Sequence, residues 1–410
     1  MKHPLFCSNV EHIAYVDAKN LKQGYAYRYS CTVDAQTYLP QRPTFTETSN
    51  CYIVNTSSTD SDGYYFPANQ AGNGRAVDWA GIGFNDDANE CYPHNSGSLA
   101  SGGNDGVRFS GNGVAVTLNE NSCVSDVFYS SNRIYFKASG AKGNAKITLT
   151  NDGVKVWTWH IWCVPEPGET MVGSYKVLNL NLGAITKVVD LKYDNEAPEA
   201  TGFYYTFGSP IGYTINEYSY GFEGGQMWTM KEAFQHPNQP YLRDKDGLYM
   251  PFNPYAASNR YQVWARIWGG GGSKTCYDPC PPGYKVTPKA FWDSFSPAHS
   301  DYYGVYSQSG GGGAFFTWNG RAYAGSYSDG STTIRGIETE SIYLSNAGGY
   351  VNTFTRNMQV YLWTSSSNGA DKAYHYRVKK KQSNGGAIDG SGVFEDILTR
   401  GMGVRCVYEW

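Results

Sequence analysis

Nine cysteines, seven histidines and two runs of glycine are the places where this 410-residue chain could build chemistry. The cysteines make no zinc pattern. Cys7, Cys31, Cys51, Cys91, Cys123 and Cys163 are scattered, and Cys276 and Cys280 have neither a second close pair nor a His-x3-5-His after them. An odd number leaves at least one thiol free or paired between chains. Asp244-Lys-Asp-Gly247 sets two carboxylates beside a turn glycine but lacks the later bidentate Glu of a calcium loop, so it reads as a solvated turn. Gly-x-Ser-x-Gly, His-Glu-x-x-His and Gly-x-x-x-x-Gly-Lys-Ser/Thr are all missing. The glycine runs at 269–272 and 310–313 lack a phosphate-gripping lysine and read as flexible loop. His236, His299 and His375 lie far apart. The expectation is a protein that is not an enzyme and uses no cofactor or metal.

What the chain has in quantity is aromatic surface. Phe, Trp and Tyr make up 16% of it, with 35 tyrosines, whereas charged residues reach 17% against roughly 25% in an average domain. Forty-eight glycines, about 12% where about 7% is usual, ask for many tight turns and close backbone approaches. A net charge of −3 lacks the basic excess that phosphate backbones attract, so nucleic acid is not an expected partner. No run approaches the ~18 consecutive apolar residues of a membrane-spanning helix, and residues 1–10 hold no apolar signal core. No membrane insertion is expected. The chain is either cytosolic when made or exported by a signal outside it.

The elements that must position such aromatics are short strands. Residues 51–55, 114–118, 133–137, 145–150 and 154–162 are alternating or apolar runs between Gly, Asn, Asp and Ser clusters, the pattern of an antiparallel β-sandwich. In the last run, period two puts Val156, Thr158, His160 and Trp162 on one face and Trp157, Trp159 and Ile161 on the other. A strand that is aromatic on both faces is expected to be central and covered on both sides, with its tryptophans and His160 serving packing. Pro165-Glu-Pro-Gly168 is the best place to end a domain, giving 1–168 and 169–410. Beyond it, strands are expected at 175–178, 202–207, 359–364, 373–378 and 403–408. Between them run long aromatic, glycine-rich stretches from about 208 to 282 and 304 to 357, and loops of that length are usually functional. Thr287-Pro288 caps a predicted helix reaching Phe295, with Phe291 and Phe295 on one face, and a weaker helix signal covers 227–234.

Two groups of strings resemble known families. Ser49-Asn-Cys-Tyr-Ile-Val54, Tyr65-Phe-Pro67, Gly143-Asn-Ala145 and Trp157-Thr-Trp-His-Ile-Trp162 follow, in order, a pattern typical of fimbrillin-like surface proteins of the Bacteroides group. Val177-Leu-Asn-Leu-Asn-Leu-Gly-Ala184, Gly202-Phe-Tyr-Tyr-Thr-Phe-Gly208, Tyr277-Asp-Pro-Cys-Pro-Pro-Gly-Tyr284, Leu362-Trp-Thr-Ser-Ser366 and Gly403-Val-Arg-Cys-Val407 resemble the Fibrobacter-succinogenes-type paralogous domain, which is associated with the C-type-lectin-like fold.

The resemblance implies a mainly β chain: a fimbrillin-like β-sandwich over 1–168, then an α+β C-type-lectin-like domain over 169–410 whose end strands pair and whose loops carry ligand. It implies a cell-surface adhesin, a pilus-tip protein of the fimbrium, that binds a host, bacterial or glycan receptor and other pilus subunits. The retroelement-diversified ligand-binding proteins are among such domains. In them the variable positions precede the terminal Val-Arg-Cys-Val strand, which here points to about 350–400. Tyr323, Tyr327, Tyr350, Asn368, Asp371, Lys372, Tyr374, His375 and Tyr376 are the candidate ligand residues, with Trp363 left to the framework. Tyr374 and Tyr376 share one strand face and His375 takes the other, so one face must be packing. The family pattern also pairs Cys280 with Cys406. The string nearest the calcium-and-sugar motif is Gln239-Pro-Tyr241, a departure that makes a calcium-bridged sugar doubtful. The alternatives are a receptor-binding protein of a phage or contractile particle, acting from the virion or particle, and a structural pilus subunit.

Overall fold

A computed structural model describes residues 2–7, 10–15, 45, 47–60, 63–75, 108–172, 174–185, 202–214, 266–270, 272–294, 317–318, 321–322, 327–328, 334–335, 359–368, 372–380, 388–397 and 401–409. The chain is mainly β, with several sheets. It divides into two compact units, 1–40 and 41–410. The first holds an antiparallel hairpin of β1 (Lys2–Cys7) and β2 (Val10–Tyr15), with Lys2 opposite Tyr15 and Cys7 opposite Val10.

The second unit begins with β3 (Cys51–Asn55), β4 (Tyr64–Pro67), β5 (Gly113–Asn119), β6 (Val124–Ser130), β7 (Arg133–Ala138), β8 (Gly143–Asn151) and β9 (Val154–Val164). They form a four-stranded sheet in the order β3-β9-β8-β5 and a three-stranded sheet in the order β4-β7-β6. The all-antiparallel expectation needs correcting. β3 runs parallel to β9, with Cys51 opposite His160 and Asn55 opposite Val164. The intervening strands separate the two in sequence, and without a hairpin between them nothing forces opposite directions. Interior β9 is buried from Val156 to Val164; its run is mostly apolar and aromatic on both faces, as a doubly covered strand requires, and its polar Thr158 and His160 are hydrogen-bonded to Thr148 and Asn144. On one face Trp159 meets Phe66 of β4 at 5.3 Å between ring centroids, and Phe66 in turn meets Tyr52 of β3 at 4.7 Å. β6 carries no clear strand pattern in its sequence. Its register shifts between Ser125 and Phe128, and Asp126 sits at φ +50°, so the period-two signal is broken in the middle.

The chain continues through β10 (Glu169–Val172), β11 (Tyr175–Asn181), β12 (Tyr284–Val286), helix α1 (Lys289–Ser294), β13 (Thr317–Trp318), β14 (Arg321–Ala322), β15 (Tyr327–Ser328), β16 (Ile334–Arg335), β17 (Gln359–Ser367), β18 (Lys372–Lys380), β19 (Ile388–Ile397) and β20 (Gly403–Tyr408). β13 pairs with β14, and β15 with β16, as two small ribbons. The large sheet runs β10-β11-β20-β17-β18-β19, with β12 also on β20. The early strand of this half, β11, lies antiparallel to the last, β20. Residues 202–207 make single bridges, Tyr204 with Tyr213 and Tyr205 with Met402, and no continuous strand. Gly202, at φ +80°, brings its backbone against Leu182, where a Cβ would lie 2.5 Å from the carbonyl oxygen. α1 is shorter at its start than expected: the Thr287 hydroxyl accepts the Trp292 indole N–H at 2.8 Å, and Lys289 opens the helix. The helix signal at 227–234 lies outside the described residues.

One buried apolar cluster runs from Cys51 and Trp159 through Leu182 and Phe203 to Trp363 and Cys406. Residues 165–168, the expected boundary, lie inside the second unit.

Candidate binding surface

The residues proposed for ligand contact separate into three groups. Tyr323, Tyr350 and Asp371 lie outside the described residues, and Tyr327 is described as the start of β15 by its backbone only. His375 and Tyr376 are core: they are 1% and 0% exposed. Asn368, Lys372 and Tyr374 remain half-buried at the surface.

Helix α1 and strand β17 decide the second group. β17 and β19 pair along the two edges of β18, and side chains packed on its two faces bury both His375 and Tyr376, so packing extends beyond the one face that alternation required. Tyr376 stacks on Trp292 of α1 at 4.4 Å and 16°. On the other face His375 sits opposite Trp363 and Phe394, with the Tyr361 ring at 5.4 Å. Trp363 donates its indole N–H to the Tyr205 carbonyl at 2.8 Å, and its ring meets Phe207 at 5.6 Å, which fixes it in the framework. His375 and Tyr376 are therefore withdrawn from the ligand set.

The third group shares a patch with residues that sequence reasoning missed. Lys289 of α1 places its ammonium 5.1 Å from the Tyr374 ring centre and donates to Asp293 at 2.6 and 2.8 Å. Tyr374 is opposite exposed Glu395 of β19. Asn368 donates from Nδ2 to Glu395 Oε2 at 3.2 Å, and its backbone N–H reaches the Lys372 carbonyl at 3.1 Å. An aromatic ring with an ammonium group over it and an amide and two carboxylates nearby offers a stacking face with hydrogen-bond donors and acceptors at its rim. Lys289 and Asp293, four apart on a helix, and the alternation of β19 could have supplied this signal, but nothing in sequence says that α1 lies over β18.

Apart from these surface residues, the strings that carried the family resemblance converge on a buried seam. The Asn50 amide accepts the Trp157 indole N–H at 3.0 Å and donates to the Cys276 and Asp278 carbonyls at 2.7 and 2.9 Å. The Ser49 hydroxyl donates to the Cys280 carbonyl at 2.5 Å. Asn144 donates to the Gly183 carbonyl at 2.9 Å and to Glu120 at 2.7 Å, and the tautomer consistent with this has His160 Nε2–H donating to Asn144 Oδ1 at 2.8 Å. Trp162 donates to the Ala184 carbonyl at 2.8 Å. Burial and the Lys146 charge hold the His160 imidazole down at about 3, so it is neutral.

Two further groups lock the seam on its far side. Lys274 and Asp278, 3% and 0% exposed, are 3.4 Å apart. The Lys274 ammonium donates to the Cys280, Pro281 and Tyr284 carbonyls, while the Asp278 carboxylate accepts the Cys280 and Val286 N–H groups. Burial pushes the lysine down and the carboxyl up, and their mutual attraction opposes both shifts. Three carbonyl acceptors around one nitrogen call for the ammonium form. Arg405 of β20 donates to Asn181 Oδ1 at 2.7 and 3.0 Å and to the Leu178 carbonyl at 2.8 Å. Cys280 is disulfide-bonded to Cys406, with Cα atoms 5.9 Å apart. The DPCPPG and VRCV strings are thus structural. Among the described residues no cluster of three His, Cys, Asp or Glu side chains could hold a metal ion, and no helix is long and apolar enough to cross a membrane. No family model, curated protein or solved structure matches this chain.

Proposed function

We propose that the chain is a cell-surface adhesin whose 169–410 half has a C-type-lectin-like arrangement and contacts a glycan or protein receptor, while a β-sandwich in the preceding half joins it to a fimbrium as the pilus tip. The observation that carries this reading is the half-exposed Tyr374 with the Lys289 ammonium over its ring, Asp293 paired to that lysine, and Glu395, bonded to Asn368, opposite it on β19. A tyrosine gives large contact area at low rotamer cost, and the polar rim supplies directional bonds. Two structural features support the lectin-like part of the reading: the pairing of β11 with β20, and the Cys280–Cys406 bond that ties the proline-rich box to the last strand. The paired strands β17, β18 and β19, with Trp292 of α1 stacked on Tyr376, would hold the rim groups in place, which lowers the ordering cost of binding.

The test is binding of the whole chain to a glycan array and to bacterial and host cells, comparing wild type with Tyr374→Ala and with Asn368→Ala/Glu395→Gln. Loss of at least about tenfold in affinity at unchanged melting temperature is expected of a residue central to a contact. Variants that bind like the wild type would move the ligand surface elsewhere. A wild-type chain that binds neither arrays nor cells would overturn the adhesin reading.

A further inference from the structure

Four described cysteines outside the Cys280–Cys406 bond are buried: Cys51, Cys123, Cys163 and Cys276. Two of them meet. Cys163 is the antiparallel partner of Gly143 across β8 and β9, so their Cβ positions share a face, roughly 5 Å apart. A Cβ on Gly143 would lie 3.3 Å from the Cys123 Cβ. Cys123 therefore sits over the gap that Gly143 leaves, beside Cys163, whose Sγ is 4.0 Å from the Cys123 carbonyl oxygen. Cys123 ends the 3-10 turn Glu120–Ser122 and is held there by its N–H to the Glu120 carbonyl at 3.0 Å and by the Ser139 N–H on its own carbonyl at 3.0 Å.

We propose that Cys123 and Cys163 are a second cross-link site, forming a disulfide that fastens the turn before β6 to central strand β9 when the chain folds in an oxidising compartment. The step is thiol–disulfide exchange with an external disulfide, either glutathione disulfide or a protein disulfide oxidase. One of the two thiolates attacks the external disulfide, forming a mixed disulfide and expelling one thiolate. The second cysteine's thiolate attacks the protein sulfur of that mixed bond and expels the other. Two electrons pass to the external disulfide, which becomes two thiols, and the two protons leave the cysteines for solvent or for the expelled thiolates. In the folded chain, the Cys123 side chain and burial push the Cys163 thiol up, so the attacking thiolate is scarce once the sheets have closed. The bond is accordingly made during folding.

The experiment uses the unaltered chain. It is unfolded and reduced, then refolded in a buffer of reduced and oxidised glutathione; the remaining thiols are alkylated, and the chain is digested with trypsin without reduction. Lysine and arginine positions put Cys123 in peptide 109–133 and Cys163 in peptide 156–176, while Cys280 and Cys406 fall in 275–285 and 406–410. The expected result is a joined 109–133/156–176 pair beside the joined 275–285/406–410 pair. The proposal is overturned if Cys123 and Cys163 are both recovered alkylated while the second pair is joined, or if Cys163 is joined to any other cysteine. Oxidant added to the already folded, reduced chain should produce the Cys123–Cys163 pair at least tenfold more slowly than refolding does. An equal rate would overturn its assignment to folding.

Discussion

The indole N–H of Trp157 donates to the side-chain oxygen of Asn50 at 3.0 Å, and the nitrogen of the same amide bonds to the Cys276 and Asp278 carbonyls. One asparagine thus links β9 to the proline-rich box, whose Asp278 lies 228 residues beyond Asn50. Asn50 is 0% exposed, so removing its amide leaves an indole N–H and two carbonyls buried without it. Asn50→Ala should cost about 3 kcal/mol, the penalty expected when several buried polar groups lose a shared partner. Urea denaturation followed by fluorescence checks this, and a loss below 1 kcal/mol would mean that water takes the amide's place.

The seam also predicts how residues 41–410 come apart. Apolar packing and hydrogen bonds run continuously from Cys51 to Cys406, so thermal unfolding of this unit should be one cooperative transition, and a fragment starting at Glu169 should not fold alone. Calorimetry and expression of residues 169–410 test this. Two separated transitions, or a folded fragment, would instead place a domain boundary at residues 165–168.

The Cys280–Cys406 bond closes a loop with a sequence separation of 126. Chain-entropy arguments give an upper-end stabilisation of about 5 kcal/mol for such a loop. Cys280→Ala/Cys406→Ala should lose much of this in chemical denaturation, and an unchanged midpoint would show that the β12, β11 and β20 contacts suffice without it.

Tyr374 and Tyr376 stand two apart on β18 and should respond oppositely. Tyr376→Ala empties a buried site stacked on Trp292 and should cost roughly 3–5 kcal/mol, as large aromatic truncations in cores do. Tyr374→Ala should cost under about 1 kcal/mol and act on binding instead. Paired melting and binding curves separate the two, and equal destabilisation would make Tyr374 core as well.

His160 gives a pH dependence with a definite sign. Its folded value of about 3 lies below the ordinary 6.5, so the unfolded chain binds the extra proton first as pH falls. The stability it contributes is complete above about 6.5 and is lost progressively down to about 3, amounting to roughly 3 kcal/mol by pH 4. Lys146, opposite it on β8, and the Glu120 carboxylate that holds Asn144 share the site. His160→Gln should flatten stability between pH 6.5 and 4, and an unchanged slope would assign acid sensitivity elsewhere.

Local pattern determined a good deal. Period two and doubly apolar composition marked β9 as a covered central strand, because a strand that is aromatic on both faces has no face left for water. Turn residues bounded β3, β5, β7, β8, β17, β18 and β20, since Gly, Asn and Asp adopt the positive-φ conformations at which strands reverse. Pairing direction was not legible: β3 runs parallel to β9 because the chain returns through the intervening strands, and that path is not written in either segment. Nor was the fate of three consecutive ligand candidates. Tyr374, His375 and Tyr376 alternate faces in any strand, but only the placement of α1 over one face and of Phe207 and Trp363 against the other made two of them core and left one at the rim. The side chains of Asn50, Asn144 and Arg405 look like ordinary surface polar groups in sequence. Their burial was decided where segments distant along the chain met, since a buried amide or guanidinium is stable only when the partners that satisfy it arrive from elsewhere in the fold.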